Sequence, residues 1–114
     1  MAALEYDLVI NQGETWSVAF PVMDGAGAPL VVDGWHARAQ VRPTISSAAV
    51  FEWNNTTLDN AVVSGTSVQL KLDPRDTAFW AFATALYDLE LTDPQGGITR
   101  IAEGKVILKA EVTR

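Results

Sequence analysis

Tyr87-Asp88-Leu89-Glu90-Leu91-Thr92-Asp93-Pro94-Gln95-Gly96-Gly97 runs into Ile98-Thr99-Arg100-Ile101 and then Glu103-Gly104-Lys105-Val106. Ala85, Tyr87, Leu89 and Leu91 alternate with Asp88, Glu90 and Thr92, the period of a half-buried strand. Asp93-Pro94-Gln95-Gly96-Gly97 supplies turn chemistry, because Asp bonds its own backbone and Gly accepts positive φ. The stretch therefore predicts a hairpin whose second arm runs Ile98 to Thr113. Gly104 inside that arm predicts a bulge or bend. The arm reaches Glu111-Val112-Thr113-Arg114, so no tail or anchor is expected after the fold, and the domain is expected to act through its surface.

The same alternation extends towards the N-terminus. Leu4, Tyr6, Leu8 and Ile10 alternate up to a break at Asn11-Gln12-Gly13. Trp16, Val18 and Phe20 form the next run. Asp24-Gly25-Ala26-Gly27-Ala28-Pro29 and Asp33-Gly34 are turns. Trp35, Ala37, Ala39 and Val41 face one way, with His36, Arg38, Gln40 and Arg42 opposite. Pro43 ends that strand. Residues 44–49 read as a mobile loop, Val50 to Trp53 as a short strand, and Asn54-Asn55-Thr56-Thr57 as loop. Ala61 to Val63 and Ser67 to Leu72 flank Ser64-Gly65-Thr66 as a hairpin. Asp73-Pro74-Arg75-Asp76 starts a short helix, with Asp73 as cap and Pro74 at its first position. One or two turns are expected over Pro74 to Phe82, with Phe79, Trp80 and Phe82 partly plugging the end of the domain.

About eight strands and one helical turn near residues 74–82 predict an all-β fold. The expected architecture is a single antiparallel β-sandwich, immunoglobulin-like, over residues 1–114. Tyr87 holds the position of a tyrosine corner, with Leu89 where such domains carry a cysteine.

Composition narrows the function. The 114 residues carry 14 acidic and 8 basic side chains, a net charge of -6, and the basic ones are scattered, which argues against nucleic-acid binding. With no cysteine, disulfides and thiolate metal sites are excluded. The N-terminus has no signal-peptide pattern. The run Ala78-Phe79-Trp80-Ala81-Phe82-Ala83 is far too short for membrane insertion.

Chemistry finds little support. His36 is the one histidine and lies on a polar strand face beside Arg38, as a surface residue would. Gly25-Ala26-Gly27 is not followed by a helix, so it makes no phosphate loop. No Ser sits in a nucleophile-elbow context. Asp88 and Glu90 share a strand face about 7 Å apart, the ordinary spacing of an outward polar face. No catalytic residue, metal site or cofactor is expected. Of the four tryptophans, Trp16 and Trp35 read as core. Trp53 and Trp80 are the two candidates for a ligand or partner surface.

Glu5-Tyr6-Asp7-Leu8-Val9-Ile10-Asn11-Gln12-Gly13-Glu14-Thr15-Trp16 resembles the opening of a family of small tail-associated β-sandwich proteins of bacteriophages and prophages. Val31-Val32-Asp33-Gly34-Trp35-His36-Ala37-Arg38-Ala39-Gln40-Val41-Arg42 is similar to that family's middle segment. There, Leu-Thr stands in place of Val32-Asp33 and Tyr in place of Trp35. The close, from Tyr87-Asp88-Leu89-Glu90-Leu91 through Glu103-Gly104-Lys105-Val106 to Glu111-Val112-Thr113-Arg114, fits its ending. The resemblance leaves out residues 44–66. It implies a virion structural protein of the tail or tail tip, like the collar proteins that attach long tail fibres in siphophages. Such a protein is made in the cytoplasm of a bacterial host and carried in the virion. Its implied partners are other copies of itself in a ring and neighbouring tail or fibre proteins. No catalytic residue carries over.

Two surfaces are candidates for these contacts. One is the polar strand face of Arg38, Gln40 and Arg42; Trp53, at the end of a short strand beside an Asn/Thr loop, is a separate candidate contact residue. The other is the final strand after Gly104, with Lys105, Lys109, Glu111 and Arg114, read as a sheet edge open to a partner or blunted by charge. Residues 44–57 are a candidate loop that orders only against a neighbour. A carbohydrate-binding or receptor-binding module and a capsid decoration or head-to-tail connector protein remain open alternatives. An enzyme has the least in the sequence behind it.

Overall fold

The computed structural model describes residues 3–112. Among them the strands are β1 (Leu4–Glu5), β2 (Leu8–Asn11), β3 (Trp16–Pro21), β4 (His36–Arg42), β5 (Phe51–Asn54), β6 (Ala61–Ser64), β7 (Ser67–Leu72), β8 (Thr84–Thr92) and β9 (Ile98–Lys109). They form two sheets, β1-β9-β8-β4-β5 with β2 also on β9, and β3-β7-β6. This is an all-β, immunoglobulin-like sandwich. Its helical content among the described residues is one 3-10 turn, Pro74–Thr77.

Alternation places the core between the sheets. In β4, Ala37, Ala39 and Val41 are buried while His36 and Arg38 are exposed. In β8, Ala85, Tyr87, Leu89 and Leu91 point inward. Val68, Leu70 and Leu72 of β7 meet them from the other sheet. Trp53 lies at the centre with 0% exposure, against Trp16 and Phe51, and its indole N–H donates to the Lys71 carbonyl at 2.9 Å. A buried tryptophan needs such an acceptor, because an unpaired N–H in the core is costly.

Several expectations change here. The antiparallel pattern is broken at the N-terminal edge, where β1 and β2 run parallel to β9. The final strand stops at Lys109, short of Thr113. The bulge predicted at Gly104 lies instead at Ile101: Leu89 pairs with Ala102 and Glu90 with Arg100, so one residue is skipped. The helical segment stops at Thr77 because Trp80 turns inward while Phe79, 95% exposed, turns out and plugs nothing.

Gly104 answers to a different demand. The offset that pairs Leu4 with Ala102 also pairs Leu8 with Val106, so Tyr6 falls opposite Gly104. The Tyr6 N–H donates to the Glu103 carbonyl at 2.9 Å, as a parallel ladder requires. Its carbonyl leaves the ladder. The Lys105 N–H donates instead to Asp7 Oδ1 at 3.0 Å, and the Tyr6 carbonyl accepts the Tyr87 hydroxyl. A Cβ at residue 104 would lie 2.5 Å from that carbonyl oxygen, so only glycine fits beneath it. Tyr87 is thus no tyrosine corner. Its hydroxyl ties β8 to the link between β1 and β2 instead of bonding a few residues upstream.

Tyr87→Phe should cost about 1–3 kcal/mol in urea unfolding, because it strands the Tyr6 carbonyl. Burial, with the Asp7 charge second, raises the Tyr87 phenol well above its ordinary value of 10.0. A raised folded value means the stabilisation is complete below about 10 and is lost as pH climbs through the folded value. Wild-type stability should therefore fall as pH rises past about 10, and Tyr87→Phe should flatten that fall. An unchanged alkaline slope in the variant would refute the assignment.

Candidate functional site

The outward face of the larger sheet carries most of the polar candidates. β4 presents Arg38, Gln40 and Arg42, and neighbouring β5 presents Glu52. One hydrogen-bond chain joins them. Glu52 Oε1 accepts Arg38 Nε at 2.9 Å and Gln40 Nε2 at 2.7 Å, and Glu52 Oε2 accepts Asn54 Nδ2 at 2.7 Å. Gln40 Oε1 in turn accepts Arg42 Nη2 at 2.7 Å, and Arg42 Nη1 donates to the Ser47 carbonyl. Cross-strand pairing produces this face, since Gln40 lies opposite Glu52 and Arg38 opposite Asn54. It is a pre-ordered surface, with its guanidinium groups already oriented.

Beside it an open groove of about 480 Å³ runs over β8 and β9 to the N-terminal strands. Glu5, Asp88, Glu90, Arg100, Lys105 and Leu86 are among its lining residues. Arg100 bridges Asp88 at 3.5 Å and Glu103 at 3.9 Å. These exposed pairs contribute little stability, and they put charges of both signs along the groove. No group of three or more potential metal-binding side chains occurs among the described residues.

The proposed contact residues are not brought together as one site. Arg38, Gln40 and Arg42 share a face, and Lys105 lines the adjoining groove. Lys109 and Glu111 lie at the far end of β9, where the Glu111 N–H donates to Gln12 Oε1 at 3.2 Å. Arg114 lies outside the described residues. Trp53 cannot be a contact residue, because it is fully buried in the core. Trp80 is 8% exposed and packs edge-to-face against Phe51 and tilted against Phe82, so it offers no ligand platform. β9 is not a sheet edge: it lies between β8 and the N-terminal strands, which use its hydrogen-bonding groups on both sides.

Residues 44–57 carry hydrogen bonds of their own. Ser47 is held by Arg42 and by Thr44 Oγ1 at 2.6 Å. Asn54 Oδ1 accepts the N–H groups of Thr56, Thr57 and Leu58 at 3.2, 2.9 and 3.0 Å. An Asn followed by Thr-rich sequence signals such a local cap.

Two side chains that organise the surface were not singled out. Gln12 Nε2 donates to the Thr77 carbonyl at 2.9 Å and the Trp80 carbonyl at 3.1 Å, fixing the segment that presents Phe79. Asn60 binds the outer edge of β5. Its Nδ2 donates to the Glu52 carbonyl at 3.0 Å, and its Oδ1 accepts the Asn54 N–H at 2.9 Å. Nothing in the sequence distinguishes either from an ordinary loop amide.

Compared with known proteins, the chain matches no protein-family model and no curated protein.

The Gln40 hydrogen bond, opposed by partial burial and helped by Asn54 and Arg38, holds the Glu52 carboxyl below its ordinary value of 4.5. A lowered folded value stabilises the protein above the ordinary carboxylate range and is lost as pH falls through the folded value. Glu52→Gln should therefore unfold at lower urea than wild type at pH 7. Because the group is partly exposed, the difference should be under about 1 kcal/mol. The two curves should converge in acid, and a gap that persists below about pH 2 would count against the network.

Proposed function

We propose that this chain is a non-enzymatic structural protein of a bacteriophage particle, a collar, ring or fibre-attachment component of the tail or tail tip. It works through protein–protein contacts with copies of itself and with neighbouring tail or fibre proteins. It is made in the cytoplasm of a bacterial host and carried in the virion. The family rests on the resemblance of the opening, middle and closing segments. Residues that carry the resemblance also carry the fold: Gln12 ties the 3-10 turn, and Tyr87 and Gly104 frame the Tyr6 carbonyl.

The observation that supports an assembly role is the exposure of large apolar side chains in the loops. Phe79 is 95% and Ile45 85% exposed, while the apolar residues between the sheets are buried. An exposed aromatic on a hydrogen-bonded loop fits a partner's pocket at small entropic cost, and such anchors dominate interfaces. A glycan-binding role would call for an exposed Trp53 or Trp80, and both are buried.

Quantitative mass spectrometry of purified particles from the source of this sequence tests the reading. A small fixed copy number relative to the major tail protein is expected. Hundreds of copies would move the chain to decoration of the capsid or tail tube. Its absence from the particle would overturn the structural role.

A further inference from the structure

We propose that the free edge of β3 pairs antiparallel with β3 of a second copy, joining two three-stranded sheets into one continuous sheet. The inference concerns the isolated chain in solution and does not depend on the particle proposed above.

The two sheets have four edges: β1/β2 and β5 in the larger, β3 and β6 in the smaller. Exposed edges invite strand addition, and native proteins blunt them. Three of these edges are blunted. The Asn60 carboxamide occupies the outer groups of Glu52 and Asn54 on β5. β1 is only two residues long and carries the charge of Glu5. On β2 the Val9 carbonyl accepts the Trp16 indole N–H at 3.2 Å, and the Asn11 carbonyl accepts the Glu14 N–H at 3.3 Å. On β6, the Lys71 N–H donates to the Asn60 carbonyl at 2.9 Å, which turns Asn60, Val62 and Ser64 towards β7. Ala61 and Val63 then face outward, but Ala61 is buried, so β6 offers a partner the groups of one residue, where β3 offers two in register.

β3 is different. The Val22 N–H donates to the Thr66 carbonyl at 2.8 Å, which sets the phase of the ladder. In an antiparallel pair, residues alternate between bonding the neighbour and facing away. Trp16, Val18 and Phe20 therefore bond to β7, while the N–H and C=O groups of Ser17 and Ala19 point outward. No hydrogen bond reaches them among the described residues. The strand carries no charged side chain, and Ser17 and Ala19 are small and exposed. Pro21 falls in the outward phase, where its missing N–H is harmless to the fold.

The edge is self-complementary. A two-fold axis at Val18 sets Ser17 opposite Ala19 of the second copy, and Ala19 opposite Ser17. Each pair exchanges both N–H···O=C bonds. The inward sides of Trp16 and Val18, only partly buried in one copy, gain cover from the other. Pro21 offers no N–H beyond this point, so the contact is short and reversible.

Amide hydrogen exchange by NMR tests this, on the full chain, from about 10 µM to about 1 mM. The Ser17 and Ala19 amides should slow about tenfold or more as concentration rises. The Val18 and Phe20 amides, bonded to β7, should stay slow throughout. Sedimentation should show a dimer that Ala19→Pro abolishes and Phe79→Ser leaves intact. The lost N–H faces away from β7, so circular dichroism of Ala19→Pro should match wild type. Should that variant misfold, the wild-type exchange reading decides alone. Fast Ser17 and Ala19 amides at about 1 mM would overturn the proposal. So would a dimer that survives a folded Ala19→Pro, or one lost in Phe79→Ser instead.

Discussion

The Tyr6 carbonyl is the point on which the arrangement of strands turns. It leaves the parallel ladder, rests over Gly104 and accepts the Tyr87 hydroxyl, while the Asp7 carboxylate takes the Lys105 N–H in its place. This interruption lets one run of sequence act as two short strands, β1 and β2, in a single register on β9. With β9 covered on that side, it is an interior strand. The N-terminal strands, held in the larger sheet, leave β3 uncovered in the smaller one. The open edge of β3 thus follows from the N-terminal strands pairing with β9 in the larger sheet.

Much of the fold was legible because it lies in local alternation. The inward sets of β4 and β8 and the β6–β7 hairpin follow from period-two patterning and turn residues. Pairing partners do not. Alternation says which face of a strand is buried and nothing about which strand lies beside it. That is why the last strand reads as an edge although β1 and β2 cover it. Gly104 signals a special backbone position, but glycine serves a bulge and a close approach equally well. Ile101, where the register slips, carries no mark of it.

The candidate contact face shows the same limit. Arg38, Gln40 and Arg42 are outward by period, as read. That Glu52 gathers them into one network depends on the register of β5, which no short-range pattern sets. Trp53 lies beside an Asn/Thr loop in sequence, yet its strand position turns it to the centre of the core. Phe79 and Trp80 are adjacent aromatics with opposite fates, because Gln12 fixes the backbone between them from far along the chain. The surface that emerges is hydrogen-bonded across its strands, mixed in charge and supplied with exposed apolar side chains at its loops. These properties suit contact between proteins.

The dependence on the Tyr6 carbonyl is tested most directly by a double-mutant stability cycle between Asp7→Ala and Tyr87→Phe. Without the Asp7 carboxylate, the Tyr6 carbonyl is free to return to the Lys105 N–H, and the Tyr87 hydroxyl has less to hold. The two losses should therefore fall short of adding, with a coupling energy of about 1 kcal/mol. Additivity within about 0.3 kcal/mol would mean that the two side chains act separately, and would contradict the shared role of that carbonyl.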